Sequence, residues 1–192
     1  DADTRDVLAS NLEELQRMSL IVQDMLFLSQ ADRGAKARRE TVQSLADVAS
    51  AVAELHEAHM EEAGLRWRVD GDAGGAVDAR LLQRALSNLI GNATRHAQRG
   101  SEVVVRIEGS RDETSLSVVN QGATIAPEHL PRLFDRFYRV DASRSGAARN
   151  HGLGLAIVAA IARMHSGRVA ATSSDGTTSI GLVIPTTPTE PA

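Results

Sequence analysis

The chain has no cysteine among its 192 residues, so it can form neither disulfides nor cysteine-ligated metal sites. This absence fits a reducing compartment. Aromatic residues are also scarce, at 3% against 42% hydrophobic residues, so a buried core must consist mainly of Leu, Val, Ile and Ala. The length allows one full domain, or one domain with a helical appendage.

Long apolar runs and basic patches are missing as well. No stretch approaches the roughly 18 apolar residues of a membrane-spanning helix. The net charge is −4, and no basic patch is interleaved with aromatic residues, which argues against a nucleic-acid-binding surface. The sequence begins with Asp1 and shows no signal peptide, so we expect it to be a piece of a longer protein.

The first 32 residues predict one long helix with an apolar seam. The seam steps by four and three residues, which is typical of bundles and coiled coils, and Gly34 provides a stop. Such a helix should pack against another helix, across a dimer; packing on its own domain is the alternative. The seam residues are Leu8, Leu12, Leu15, Ser19, Val22, Leu26 and Ser29.

A polar, charged stretch over residues 34–40 reads as a linker. Residues 41–45 then predict a short strand, and residues 45–63 a helix with Val48, Val52, Leu55 and His59 on one face. His56 and His59 are three residues apart, but no third metal ligand is evident, so structural roles are favoured. Two short strands follow, over residues 65–69 and 76–77.

Residues 78–97 predict a helix that begins at a capping aspartate, Asp78. Its leucines form a buried stripe, while Asn88, Asn92, Arg95 and His96 share another face. Asparagine is a mediocre helix former, and its carbonyl oxygen suits Mg²⁺. The pair of asparagines is therefore suggestive of a magnesium site, with solvent exposure as the alternative.

The segment from Asn120 to Gly152 is too long for an ordinary connection in a compact domain. It follows an antiparallel hairpin and leads into a glycine-flanked apolar helix over residues 152–164. Helix N-termini bind anions, so the segment predicts a lid over a polyanion. Its arginines are Arg132, Arg136, Arg139, Arg144 and Arg149.

A final hairpin turns at Asp175 and Gly176, and residues 187–192 form a proline-containing tail that we expect to be disordered. The strands and helices alternate with adjacent hairpins. This order predicts an α+β fold, with helices on one face of a mixed, mostly antiparallel sheet, preceded by the long first helix.

Four ordered segments resemble the N, G1, F and G2 boxes of bacterial sensor histidine kinases. They read NLIGNATRHA, NQGATI, RLFDRFYR and GLGLAIV. The first helix is similar to the second helix of that family's dimerisation domain. The segment LFDRFYRVDASR, together with VVNQG, resembles the branch of the family that senses copper, silver and other heavy metals. The resemblance divides the chain into a dimerisation helix (1–33), the linker (34–40), an ATP-binding catalytic domain (41–186) and the tail (187–192).

The resemblance implies a Bergerat-type ATP-binding domain, an α/β sandwich with ATP beneath the lid. Asn92 would hold Mg²⁺ with Asn88 beside it, and Arg95 would reach the phosphates. Phe134 and Phe137 would latch the lid. The implied ATP-binding residues are Asn88, Asn92, Arg95, His96, Asn120, Gly122, Ile125, Arg136, Arg139, Gly152, Leu153, Gly154, Leu155 and Thr177.

The same resemblance assigns parts of the nucleotide to these residues. His96 and Thr177 would lie near the adenine, and the lid arginines Arg136 and Arg139 would meet the terminal phosphates. Backbone amides at Gly152 and Gly154 would approach the phosphates. The cofactors implied are therefore ATP and Mg²⁺.

Two departures from the family pattern stand out. Asn120 occupies the position where most members have an aspartate that accepts the adenine amino proton; asparagine keeps an acceptor but loses the charge. The phosphoacceptor motif, a histidine followed by glutamate, is absent, so no catalytic residue is assigned.

The resemblance implies a protein-histidine kinase that passes the γ-phosphate of ATP to a histidine on a helix outside this chain. It implies a response regulator and a second kinase protomer as partners. The localisation implied is the cytoplasmic portion of an inner-membrane sensor kinase. A nucleotide-gated, non-catalytic interaction module is the alternative, motivated by Asn120 and the missing acceptor, and DNA binding has no supporting motif.

Overall fold

The computed structural model of the chain describes residues 2–140 and 151–186. The expected tail and two of the lid arginines, Arg144 and Arg149, lie outside these residues. The long helix α1 (Ala2–Asp32) is present as predicted, and Gly34 ends it in the left-handed region with φ +85°. Among the described residues, no helix is long and apolar enough to cross a membrane.

Helix α1 packs on its own domain along one face near its C-terminal end. Leu28 is buried there, and Ile21 and Phe27 pack against the same core. The seam residues Leu8 and Leu12 are 62% and 57% exposed. Packing on its own domain therefore holds for one face, while the seam that predicts a helical partner stays uncovered.

The predicted linker is bonded to the domain at several points. The Ala37 amide donates to the Met164 carbonyl (3.0 Å), and the Arg39 Nε donates to the Ala76 carbonyl (2.7 Å). The following strand β1 (Glu40–Val42) ends three residues before the predicted end, because Ser44 caps the next helix by accepting from the Asp47 amide.

Helix α2 (Leu45–Glu62) has its bounds close to those predicted, but a different face is buried. Ala49 and Ala53 are buried with Val52, whereas Leu55 is 85% exposed. The four residues predicted to share a face differ in burial: Val52 is buried, whereas Leu55 and His59 are exposed.

A five-stranded sheet in the order β2-β4-β5-β7-β6 forms the centre of the domain. β2 pairs with β4 in parallel, and the other neighbours are antiparallel. β1 pairs with β3 (Gly75–Val77) in a separate ribbon. The five strands are β2 (Arg66–Asp70), β4 (Glu102–Gly109), β5 (Glu113–Gln121), β6 (Arg168–Ser174) and β7 (Thr177–Pro185).

Alternate residues of these strands face the helices. Leu116 lies opposite Leu182, and Val118 opposite Ile180, and all four are buried. Helices α2, α3 (Ala79–His96) and α4 (Gly154–Met164) cover this face of the sheet. Each fully buried Leu or Ile side chain contributes about 1.5–3 kcal/mol to stability. The predicted α+β architecture is confirmed.

Candidate functional site

The asparagine face of α3 meets the start of α4. The N-cap of α3 is Asp78, whose side chain accepts from the Leu81 amide. Asn88 Nδ2 donates to the Arg84 carbonyl at 3.0 Å, which fixes the orientation of the amide. Its Oδ1 then faces α4: a Cβ added to Gly154 would lie 2.9 Å from it. Asn88 therefore presents an acceptor oxygen beside the first residue of α4, and Asn92 lies half-buried one turn further along α3.

Among the described residues, no side chain caps the N-terminus of α4. The helix begins at Gly154, two residues later than predicted, and the N-cap Leu153 makes no side-chain hydrogen bond. Gly152 precedes it with φ +69°, where an L side chain is strained. An added Cβ there would lie 2.8 Å from the backbone of Phe137. The first turn of an 11-residue helix is thus left with amide donors that suit an anion.

The other end of the site is built where α3 and β5 finish. Asn120 is buried, at 5% exposure, on the helix-facing side of β5. Gly122 forms a bridge to Ala97, and an added Cβ would lie 2.3 Å from the His96 carbonyl oxygen. No side chain fits at position 122, so the backbone after Asn120 runs directly against the end of α3.

A hydroxyl pair lies beside Asn120. Thr178 pairs with Asn120 across the β5–β7 ladder and is buried, and its Oγ1 lies 2.8 Å from Ser173 Oγ. Ser173 Oγ in turn accepts from the Ile125 amide at 2.9 Å. Ile125 is thereby tied to the strands at the predicted adenine end.

Thr177, the residue named from the sequence, is exposed and pairs with Gln121. Thr178 is the neighbouring hydroxyl on the buried face, and the sequence-based assignment missed it. The signal was available in the alternation of β7: Ile180, Leu182 and Ile184 are buried, so Thr178 shares their phase and Thr177 does not.

Of the arginines predicted to contact phosphate, Arg136 pairs with an acidic residue on α1. Arg136 Nη2 lies 2.6 Å from Asp32 Oδ2 on α1. The Arg95 guanidinium lies on the α2 side of α3, because a Cβ on Gly91 would be 3.9 Å from both Arg95 Nη1 and His56 Cε1. Arg139 and His96 also make interactions of their own. The contacts that these three arginines and His96 would make with a nucleotide stay predictions.

Ring contacts hold the described part of the lid, which extends to Val140. His129 Nδ1 lies 2.6 Å from the Tyr138 hydroxyl, and the Arg132 guanidinium stacks over the Tyr138 ring at 4.2 Å. Phe134 packs against the core as a latch would. Phe137 is 57% exposed with φ +63°, so it does not latch the lid here. Instead its amide donates to the Gly152 carbonyl (2.9 Å) and ties the lid to the glycine loop.

Two histidines next to the site have a pKa below the ordinary value of 6.5. Burial, followed by the charges of His59 and Arg95, lowers the pKa of His56, whose Nε2 lies 2.8 Å from Ser87 Oγ. Burial and then Arg17 lower the pKa of His151, whose Nε2 accepts from Arg17 Nε at 3.2 Å. The start of α4, where an anion is expected, therefore lies beside the His151 imidazole, which accepts a hydrogen bond.

The donor set fits a nucleotide with a magnesium ion. An added Cβ would collide with neighbouring atoms at positions 122, 152 and 154, so only glycine lets the backbone lie this close to them. The uncapped amides at the start of α4 suit phosphate oxygens. Asn88 and Asn92 supply the amide oxygens that Mg²⁺ accepts as ligands. Across residues 2–140 and 151–186, no group of three or more His, Cys, Asp or Glu side chains could hold a metal ion.

Comparisons with known proteins show which family the chain resembles over most of its length. The model of the histidine kinase-, DNA gyrase B- and HSP90-like ATPase family matches residues 77–188. Sensor histidine kinase CusS of Escherichia coli K12 is 46% identical over 184 residues, which is 95% of this chain and 38% of CusS. The chain thus spans well under half the length of this relative.

Solved structures share the fold. The histidine kinase AdeS of Acinetobacter baumannii aligns with a TM-score of 0.78 at 23% identity, covering 93% of this chain and 83% of that one. ShkA in complex with AMPPNP aligns at 0.75 and 24%, covering 94% and 39%. ThkA in complex with the response regulator protein TrrA aligns at 0.70 and 19%, covering 94% and 50%.

Proposed function

The chain belongs to the family of histidine kinase-, DNA gyrase B- and HSP90-like ATPases, and we propose that it is the ATP-binding catalytic domain of a sensor histidine kinase. The observation that carries the proposal is the uncapped start of α4, which lies against the Asn88 oxygen with glycines on both sides. This is a phosphate site with an amide-oxygen face beside it. The predicted resemblance to sensor histidine kinases is supported by the 46% identity to CusS.

We assign the adenine to the end formed by Asn120, Thr178 and Ile125. The buried Asn120 carbonyl accepts from the adenine amino group, and its amide can also donate, so it discriminates between bases less than a carboxylate would. The Ser173–Thr178 hydroxyl pair holds this edge of the site in place. His96 and Gly122 close the end where α3 meets β5.

The phosphates lie over the first turn of α4. Amides from Gly152 to Leu155 donate to phosphate oxygens, and the helix dipole favours their charge. Asn92 and Asn88 would hold a magnesium ion, which would supply charge neutralisation at the phosphates. Arg136 and Arg139 approach from the lid, and Arg95 turns from the α2 side toward the same oxygens.

The reaction is a phosphoryl transfer in which the chain positions the reactants. A histidine nitrogen on a helix outside this chain forms a bond to the γ-phosphorus, the bond from that phosphorus to the β–γ bridging oxygen breaks, and ADP leaves. The chain's residues contribute orientation and charge neutralisation. The phosphoryl group then passes to a response regulator, as the family resemblance implies.

We further propose that the uncovered seam of α1 joins a helical bundle with a second protomer. Leu8, Leu12, Leu15 and Leu26 are all more than half exposed along it. A seam of this kind is stable in water only when a partner covers it. The parent would be an inner-membrane sensor kinase with this portion on the cytoplasmic side, and the resemblance to the metal-sensing branch makes a metal the expected stimulus.

The test is the substitution Asn92→Ala. We expect Mg²⁺-dependent ATP binding to be lost, because no other described side chain on α3 supplies an amide oxygen one turn beyond Asn88. Isothermal titration calorimetry with Mg-ATP measures this, and circular dichroism checks the fold. Asn11→Ala, an exposed asparagine on α1, is the matched control. An unchanged affinity in Asn92→Ala would sink the assignment.

A non-catalytic, nucleotide-gated interaction module is the second candidate, and Asn120 in place of the family's aspartate favours it. Adding a peptide that carries the parent's acceptor helix, together with labelled ATP, separates the two candidates. Label on the helix supports the kinase. Tight binding of the helix with no transfer supports the interaction module.

A further inference from the structure

Helix α1 makes polar contacts with three segments beside the proposed nucleotide site: the glycine loop, α3 and the lid. Arg17 contacts His151 at the glycine loop. Asp24 pairs with Arg84 on α3 at 2.7 Å, and that guanidinium also stacks over Phe27 of α1 at 4.1 Å. The C-terminal half of α1 is therefore in direct contact with the surroundings of the nucleotide.

The last of these contacts involves the lid. Asp32, the final residue of α1, lies 2.6 Å from Arg136 Nη2 and 3.8 Å from Arg163 Nη2. A carboxylate at a helix C-terminus faces the negative end of the helix dipole, and the last turn of α1 has no basic residue to offset it. The aspartate at this position is therefore explained by its two arginine partners and not by the stability of the helix.

Arg136 is held next to the phosphate site through its neighbour in sequence. The Phe137 amide donates to the Gly152 carbonyl, so the backbone at position 136 is anchored beside the glycine loop. From this anchor the guanidinium pairs with Asp32. A carboxylate and a phosphate group are alternative partners for a guanidinium, which donates hydrogen bonds to the oxygens of either.

We propose that Asp32 competes with the terminal phosphate of ATP for Arg136, so that pairing of the lid with α1 and binding of the γ-phosphate exclude each other. This inference rests on the proposed function, since it takes the nucleotide at the start of α4 as given. Coupling of this kind is reciprocal: ATP loosens the lid from the end of α1, and the Asp32–Arg136 pair weakens ATP binding to the same extent.

The expected effect is small because both partners are partly exposed. The side chains of Arg136 and Asp32 are 37% and 47% accessible, and solvent screens such pairs. Breaking the pair should therefore strengthen ATP binding about two- to fivefold. ADP lacks the γ-phosphate, and its affinity should change less than that of ATP.

Calorimetric titration of the variant Asp32→Asn with Mg-ATP and with Mg-ADP tests the inference. Asp24→Asn is the matched control, because it removes the same charge from the same helix while its partner Arg84 lies outside the lid. We expect tighter ATP binding in Asp32→Asn and an affinity near that of the unaltered chain in Asp24→Asn. Equal gains in both variants would show a general charge effect and overturn the proposal.

A double substitution tests the role of Arg136 itself. In an Arg136→Gln background the further change Asp32→Asn should leave ATP affinity unaltered, because the contested arginine is gone. A two- to fivefold gain that persists in this background would overturn the proposal. The unaltered chain distinguishes this from a failure of the proposed function: if it does not bind Mg-ATP, the site assignment fails, whereas normal binding with no effect of Asp32→Asn rejects only the competition.

Discussion

The two ends of α4 differ in the hydrogen bonding of their backbone groups. At the N-terminal end the amides have no side-chain cap, and glycines flank the first turn. At the C-terminal end the amides of His165 and Gly167 donate to carbonyls of the last turn. The linker amide of Ala37 donates to Met164, the last helical residue.

His165 completes the closed end. It is fully buried, its Nδ1 lies 2.8 Å from the Ile161 carbonyl, and its Nε2 accepts from the Asp78 amide at 3.0 Å. These bonds require a neutral ring with the proton on Nδ1. One helix thus serves two purposes: its C-terminal end holds α3 and the linker together, while its N-terminal end keeps donors available for a ligand.

The largest effect is expected at the closed end, on stability. His165→Ala removes a buried ring, leaves the Asp78 amide without a partner and leaves the Ile161 carbonyl with only the backbone amide of residue 165, so the free energy of unfolding should fall by roughly 2–4 kcal/mol. Urea titration measures the loss. His59→Ala, an exposed histidine on α2, is the control and should change stability by less than about 0.5 kcal/mol.

His165 should also make the stability of the unaltered chain depend on pH. Burial is the main cause that lowers the pKa of His165 below the ordinary value of 6.5. As the pH falls below about 6.5, the unfolded chain binds a proton that the folded chain does not, so the folded state loses stability. His165→Ala should remove this part of the pH dependence. An unchanged slope between about pH 6.5 and 5 would contradict the assigned role of the neutral ring.

At the open end, Gly154→Ala should weaken ATP binding more than it changes stability. The added methyl group would lie 2.9 Å from Asn88 Oδ1, and Asn88 cannot yield freely because its amide is bonded to the Arg84 carbonyl. We expect ATP affinity to fall about tenfold, equivalent to about 1.4 kcal/mol. Calorimetry with Mg-ATP gives the affinity, and thermal unfolding gives the stability.

Gly91→Ala is the matched control for this change. Gly91 lies inside α3, and an added Cβ there meets its nearest side chains at 3.9 Å, which is ordinary contact. The substitution should stabilise the domain by about 0.5–1 kcal/mol, since glycine is unfavourable inside a helix. If Gly154→Ala behaved in the same way as Gly91→Ala, the start of α4 would not be the tightly packed phosphate site described above.

The sequence predicted the architecture well because its signals were local. Hydrophobic alternation located the β4–β5 hairpin and the β6–β7 hairpin, and Asp78 was correctly assigned as a helix cap. The two hairpins and the glycine flanks of α4 follow from short-range rules on turns and caps. The four boxes added the family, which the match over residues 77–188 shows.

What the sequence could not predict depends on contacts between distant segments. The pairing of Arg136 with Asp32 joins residues 104 positions apart, and no local pattern indicates it. The burial of each residue on α2 depends on the elements that pack against it, so a shared face did not predict that Val52 is buried and Leu55 exposed. The exposed Phe137, with its positive φ, depends on its bond to Gly152.

The smallest effect concerns two successive threonines at the adenine end, where the same contrast between closed and open groups recurs. Thr178 is buried beside Asn120 and bonded to Ser173, whereas Thr177 is exposed. Thr178→Val keeps the shape but removes the hydroxyl, so ATP and AMP affinities should both fall about two- to tenfold, the range of one hydrogen bond. Thr177→Val should leave both unchanged. A larger loss in Thr177→Val would restore Thr177 as the adenine-side residue, and a loss for ATP without one for AMP would move Thr178 to the phosphate end.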